Sequence, residues 1–260
     1  MPQDTNARSR AGSAPKPPAR PDVTPAELDT ALNALKSYDY GSSRAALTPI
    51  DNAVVACLGD ARARRTLEKR LAGLLKTDIP PVAKEYLCRK LILIGSADSV
   101  PALRALLADK NVSHLARSAL EHNPRPEAVR ALRESLPKLS GPQRTGVVAS
   151  LGMRRDSASI SALAALLNDS DPQTAGAAAE ALGNIGTVKA SKALLEFQPR
   201  APDAIFPIVA DARLACAERL ASAGNRARAL VIYEALASPL QPEHVRRAAR
   251  RGLSNLTGKK

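Results

Sequence analysis

The sequence has no tryptophan, two phenylalanines and four tyrosines in 260 residues. A core must then be filled by Leu, Ile, Val and Ala, which suits helices packed at close range, and few flat rings remain on which a nucleic-acid base could stack. Cysteine is scarce too. Cys57, Cys88 and Cys216 are odd in number and widely spaced, with no CxxC pair, so neither a disulfide framework nor a zinc site is expected, and core packing is the role assigned to each. Of the three histidines, His114 and His122 lie eight residues apart in one helical pattern, roughly 12 Å by helical rise, too far to share a metal. His244 is remote in sequence. No apolar run reaches the ~18 residues of a membrane span. There is no phosphate-cradling glycine loop and no GxSxG, and Gly183-Asn184-Ile185-Gly186 reads as a helix end. No catalytic residue, cofactor or metal is assigned. The opening residues contain no apolar h-region, so the sequence as it stands reads as cytoplasmic, and as exported only if an upstream segment exists.

What is present is a repeat. In residues 151–187, Ile160, Leu163, Leu166 and Leu167 share one helical face, and Asn168-Asp169-Ser170-Asp171-Pro172 breaks the pattern. Asp171 is placed as an N-cap with Pro172 at the first helical position. A second helix follows, with Ala178, Ala181, Leu182 and Ile185 on one side. Leu67, Leu103, Leu132, Leu163 and Leu194 align at steps of 36, 29, 31 and 31 residues, and twelve positions before them stand Val55, Leu91, Leu120, Leu151 and Leu182. Units of this length, each made of two amphipathic helices, cannot bury their apolar faces alone. Stacking supplies the core, which predicts an all-α fold, an α/α superhelix of antiparallel helical hairpins.

The stretch LGMRRDSASISALAALLNDSDPQTAGAAAEALGNIGT at 151–187, with IGSADSVPALRALLAD at 94–109, resembles the short HEAT-like repeats first described in phycobilisome lyases and common in bacterial multi-domain proteins. The resemblance covers residues 58–197. It departs from the pattern at Arg64, where a valine is usual, and at Ser191 and Gln198, which dilute the last apolar face. It implies an armadillo/HEAT-like solenoid that binds along its inner surface. Residues 214–239 resemble a single tetratricopeptide-type hairpin, with Gly224 at the turn and Ala229, Tyr233 and Leu236 at the usual spacing.

Taken in order, residues 1–23 read as a disordered Pro/Ala/Arg-rich tail, 24–198 as the HEAT-like solenoid, 199–256 as helical hairpins closing it, and 257–260 as a basic tail. Thr24-Pro25-Ala26-Glu27 predicts a capping box. Tyr38 and Tyr40 are expected over the open N-terminal edge. Ser43 caps a helix to Leu58 that points Ile50, Val54, Val55 and Leu58 inward, and Asp203 is the candidate cap of the helix after the 198–203 break.

The net charge is +13, but it is uneven: residues 60–90 hold nine Lys/Arg against four Asp/Glu, residues 241–260 six against one, and residues 150–190 three against four. Phosphate-tracking along the whole length would need basic charge in every repeat, so nucleic acid is disfavoured as a partner and a protein or peptide is favoured, an acidic one included. The function expected is a non-enzymatic interaction scaffold using the concave face. The resemblance also admits a bilin lyase-like or chaperone-like protein acting on a chromophore-bearing partner, and a nucleic-acid-binding protein such as a HEAT-like DNA glycosylase, which the lack of Trp opposes. His114, Arg117, Arg144 and Glu180 are the residues expected to face a partner. In the last helix Val245, Ala248, Ala249, Leu253 and Leu256 gather on one side, and Arg246, Arg247, Arg250 and Arg251 on the other. Those arginines cap the solenoid with a polar face or, with Lys259 and Lys260, form an anion patch.

Overall fold

The structure is a computed structural model that describes residues 21–258. The expected tail over 1–23 therefore lies outside the described residues except for its last three, and Lys259 and Lys260 lie outside as well. The described residues form fourteen α-helices and no strand. They pair as seven antiparallel hairpins, each with an outer A helix and a B helix. The A helices are α1 (Pro25–Ala34), α3 (Ala61–Leu74), α5 (Val100–Ala105), α7 (Pro126–Ser135), α9 (Ile160–Leu166), α11 (Val188–Phe197) and α13 (Arg226–Leu236). The B helices are α2 (Thr48–Cys57), α4 (Pro81–Ile94), α6 (Ser113–His122), α8 (Gly141–Met153), α10 (Pro172–Ile185), α12 (Phe206–Ser222) and α14 (Glu243–Thr257). Each B helix from α4 to α12 packs on the next, and the A helices meet their neighbours from α3 to α7 and from α9 to α11.

The helix starts follow local chemistry. Thr24 and Glu27 form the reciprocal capping box that opens α1. Asp60 accepts from the N–H groups of Arg62 and Ala63 to open α3, and Asp171 accepts from Gln173 and Thr174 to open α10. Gly186 closes α10 at φ +63°, a left-handed turn that costs glycine nothing. One repeat earlier the same position is Arg155, at φ +52°.

Two sequence expectations fail at the ends of elements. Val55 and Leu58 do not point inward; they are 51% and 58% exposed. The chain from Ser43 enters a 3₁₀ turn, Arg44–Leu47, before α2 begins at Thr48, and this rotates the helix so that Leu47, Ile50, Val54 and Cys57 are the buried set. Asp203 does not cap α12. That helix starts at Phe206 with no side-chain cap, and the Pro202 carbonyl accepts from Ile205 and Phe206 instead. The hairpin at 214–239 begins earlier than its tetratricopeptide-like spacing implies, since α12 already runs from Phe206, but Gly224 does turn at φ +81° and Ala229, Tyr233 and Leu236 are buried.

The core follows the repeat. Leu67, Leu103, Leu132, Leu163 and Leu194 are all buried, as are Leu91, Leu120, Leu151 and Leu182. All three cysteines are free and buried, and burial pushes the Cys88 and Cys216 thiols up to about 12. Buried apolar residues form two clusters that meet in α12. The larger runs from Ala31 to Cys216; the smaller joins Ala210, Ala217 and Leu220 to α13 and α14. In that smaller cluster Gly252 lets α14 lie on the Tyr233 ring, where a Cβ would come within 2.5 Å of Cζ.

The B helices approach one another most closely where the sequence has glycine. A Cβ on Gly152 would sit 2.6 Å from Ala181 Cα, and one on Gly183 would sit 2.8 Å from Ala212 Cα. Gly183 is thus a packing residue inside α10, and only Gly186 makes the turn that the sequence pattern assigns to the pair.

Candidate interaction surface

Polar ties cross several seams of the B row. Tyr86 on α4 donates to Asp51 Oδ1 at 2.8 Å, and Lys90 pairs with the same carboxylate. Between α6 and α8, Ser150 Oγ donates to Glu121 at 2.5 Å and accepts from Arg117 at 2.8 Å. Just past the end of α8, Arg154 places one guanidinium nitrogen 3.0, 2.8 and 2.5 Å from the carbonyls of Leu120, Glu121 and Asn123, where the last turn of α6 leaves acceptors unpaired. Between α8 and α10, Thr145 meets Thr174 at 3.0 Å, and Arg144 pairs with Asp169 at 2.8 Å. His244 reaches Asp211 at 2.8 Å, joining α14 to α12.

Three further buried groups carry little signal in the sequence. The carboxylate of Glu68 is buried and accepts from Ser96 N at 2.6 Å, Ser96 Oγ at 2.7 Å and Ser99 N at 3.0 Å, so a residue of α3 caps the start of the next hairpin. Asn123 donates to the Ser96 carbonyl at 2.7 Å and extends that chain of contacts. Arg213 is buried in α12 and donates to Gln198, which in turn donates to Gln241 at 2.9 Å. Arg213 Nε has no hydrogen-bond partner among the described residues, and burial holds the guanidinium below the usual arginine value. A Glu or Arg inside an amphipathic pattern looks like surface, and only its partner one repeat away reveals otherwise.

The side of each B helix opposite its A partner is left open, and the repeat sets its contents. One row of positions is Arg89, Ser118, Ala149, Glu180 and Asp211; beside it runs Leu93, His122, Met153, Asn184 and Ala215. All ten are exposed or half-buried. The rows start basic at Arg89, pass over small or apolar side chains at Ala149 and Met153, and end acidic at Glu180 and Asp211.

Of the residues expected to face a partner, Glu180 stands in this row and is exposed. His114 is exposed at the start of α6. Arg117 and Arg144 lie in the seams instead. Arg117 pairs with Glu121 at 3.3 Å, besides its bond to Ser150, and Arg144 pairs with Asp169, each side chain being about three-quarters covered. On α14 Val245 and Ala249 are buried and Arg247, Arg250 and Arg251 are exposed, with Arg246 half-buried. Among the described residues Glu243 is the one carboxylate paired with them, 3.8 Å from Arg247. Among the described residues no group of three or more His, Cys, Asp or Glu is placed to hold a metal, and no helix is long and apolar enough to cross a membrane.

Hairpins stacked in register, a B row locked by small residues and an open face repeated at fixed positions define a HEAT-like α-solenoid. A family model described as HEAT repeats matches residues 142–206, from α8 to the first residue of α12. No curated protein matches the chain. Among solved structures, the crystal structure of one engineered protein is 17% identical and covers 88% of this chain and 68% of its own, with a TM-score of 0.47. A second engineered protein is 20% identical over 74% of this chain and 96% of its own, with a TM-score of 0.42. Human deoxyhypusine hydroxylase in complex with glycerol is 17% identical over 90% and 97%, with a TM-score of 0.37.

Proposed function

We propose that this chain is a protein-interaction scaffold that receives a segment of a protein partner across the open face of its B helices. The observation that carries the reading is the pair of rows from Arg89 and Leu93 to Asp211 and Ala215. The same positions remain exposed or half-buried in five successive B helices, with Asn184 and Asp211 also accepting bonds from Arg219 and His244 of the following B helix. The polarity of the rows selects the partner's orientation: acidic groups complement the Arg89 end and basic groups the Glu180–Asp211 end, with an apolar side chain over Ala149 and Met153. Single charges on such a rim set orientation and association rate more than affinity.

The test uses a photo-crosslinking amino acid placed at Ala149 and, separately, at the exposed Arg130 of α7 on the opposite side. In the source cell, a protein adduct should form from position 149 and not from 130, and Ala149→Trp should abolish capture by the chain labelled at Met153. Equal crosslinking from both sides, or capture that survives Ala149→Trp, would move the interface off this face.

A further inference from the structure

Between the starting ends of α6 and α8 lies a cleft of about 190 Å³ whose polar lining is Lys110, Ser113, His114, Arg117 and Gln143, with Gly146 in its wall. No carboxylate lines it. Lys110 and His114 are exposed and, among the described residues, have no ion-pair or hydrogen-bond partner. Arg117 lies across the opening against Gly146, where an added Cβ would fall 2.9 Å from the arginine Nε and push the side chain aside. Its Nη1 is committed to Glu121 and Ser150, which fixes the guanidinium in place.

The next seam shows what this one lacks. There the loop before α10 supplies Asp169, seated 2.8 Å from Arg144, and Asp171, which accepts from the first turn of α10. Thirty-one residues earlier, the same loop positions are Lys138 and Ser140, and Ser140 makes no side-chain cap on α8. The chain thus seats two loop carboxylates at the α8–α10 seam and none in the lining of the α6–α8 cleft, where Glu121 lies behind Arg117 and pairs with its Nη1, and it adds Lys110 and His114 there. We infer that this cleft binds a phosphoryl group, held by Lys110, His114 and Arg117 with the Ser113 hydroxyl and the Gln143 amide as neutral donors. A phosphate monoester carries about −1.5 to −2 charges and three acceptor oxygens, which matches convergent cations better than a single carboxylate does. The inference does not depend on what occupies the open face of the B row.

The experiment is an NMR titration of the ¹⁵N-labelled chain with inorganic phosphate and, in parallel, with N-acetyl-phosphoserine amide. Backbone amides of Ser113, His114, Gln143 and Gly146 should shift together and saturate. Lys110→Gln/His114→Gln should weaken binding at least about tenfold, as expected from losing charge-assisted contacts, and should leave the melting temperature in phosphate-free buffer unchanged because both side chains are exposed. Tighter binding of the phosphoserine compound than of phosphate means that the group is presented by a partner side chain; equal binding means a free anion. Shifts absent at these amides, or identical in the double variant, would overturn the site.

Discussion

Gly183→Ala tests one of the close helix contacts of the B row, and the sign of its effect separates two physical outcomes. In a helix interior alanine is favoured over glycine by about 1 kcal/mol, so propensity alone stabilises the variant. Against this, the new Cβ would lie 2.8 Å from Ala212 Cα, 2.9 Å from Ala212 O and 3.0 Å from Ala212 Cβ. Two of those three are backbone atoms and cannot rotate away, so α10 and α12 must separate by about half an ångström along a well-packed seam. Overpacking of that kind costs roughly 1–3 kcal/mol, and here it comes with loosening of the Cys216 and Arg219 contacts on the same seam. The expected net result is destabilisation of up to about 2 kcal/mol, read as a lower midpoint in urea unfolding followed by circular dichroism at 222 nm, with an unchanged slope. Gly73→Ala is the matched control: an added Cβ there meets nothing within 4 Å, so only propensity acts and the midpoint should rise. Because the clash is with backbone, Ala212→Gly should not rescue Gly183→Ala. A rise in the midpoint for Gly183→Ala, or full rescue by Ala212→Gly, would refute the argument that glycine sets the approach of α10 to α12.

Leu163→Ala removes a fully buried side chain in a central repeat and should cost roughly 2–5 kcal/mol, measured by the same denaturation. Gln198→Glu gives the buried Arg213 a carboxylate in place of an amide, and Gln241 can turn its amide to donate to it. The variant should be more stable by about 1–2 kcal/mol, whereas Gln198→Leu, which strands the guanidinium, should be less stable. For Asp51, burial raises the pKa, but the bonds from Lys90 and Tyr86 and the charge of Arg44 outweigh it and hold the carboxyl below its ordinary value of 3.8. Its stabilisation is therefore present above that value and is lost as pH falls through the lower folded value, so the deficit of Asp51→Asn at neutral pH should shrink in unfolding curves taken below about pH 4. Replacing Arg246, Arg247, Arg250 and Arg251 with Gln should leave melting nearly unchanged; sedimentation then tells whether the polar face of α14 keeps the solenoid's end from self-associating.

The fold was legible because the repeat writes the same constraint several times. Leu163 alone is ambiguous, but with Leu103, Leu132 and Leu194 at steps of 29 to 31 it identifies the buried face of each A helix, and Asp171-Pro172 marks a helix start without ambiguity. Errors fell where one local turn changes phase: the 3₁₀ turn before Thr48 moved Val55 and Leu58 to the surface. The candidate surface was legible only in part. Glu180 is exposed as its position suggests, but Arg117 and Arg144 are bound into the seams by Ser150 and Asp169, residues of the following hairpin. Helical periodicity assigns a face; it does not say which charge on that face has an acid waiting on the next hairpin.

The division of the core within α12 has a kinetic meaning. Val209, Ala212 and Cys216 belong to the long cluster, and Ala210, Ala217 and Leu220 to the short one, so the α13–α14 hairpin can detach while the rest of the stack keeps its interior dry. Opening it exposes nine buried residues instead of the whole core, and amides in α13 should exchange with deuterium sooner than those in α8 or α10. What such an opening leaves bare is one side of α12, shaped to accept this hairpin and therefore the same hairpin of a second copy, which makes the loop at Gly224 the natural hinge for an exchanged dimer at high concentration.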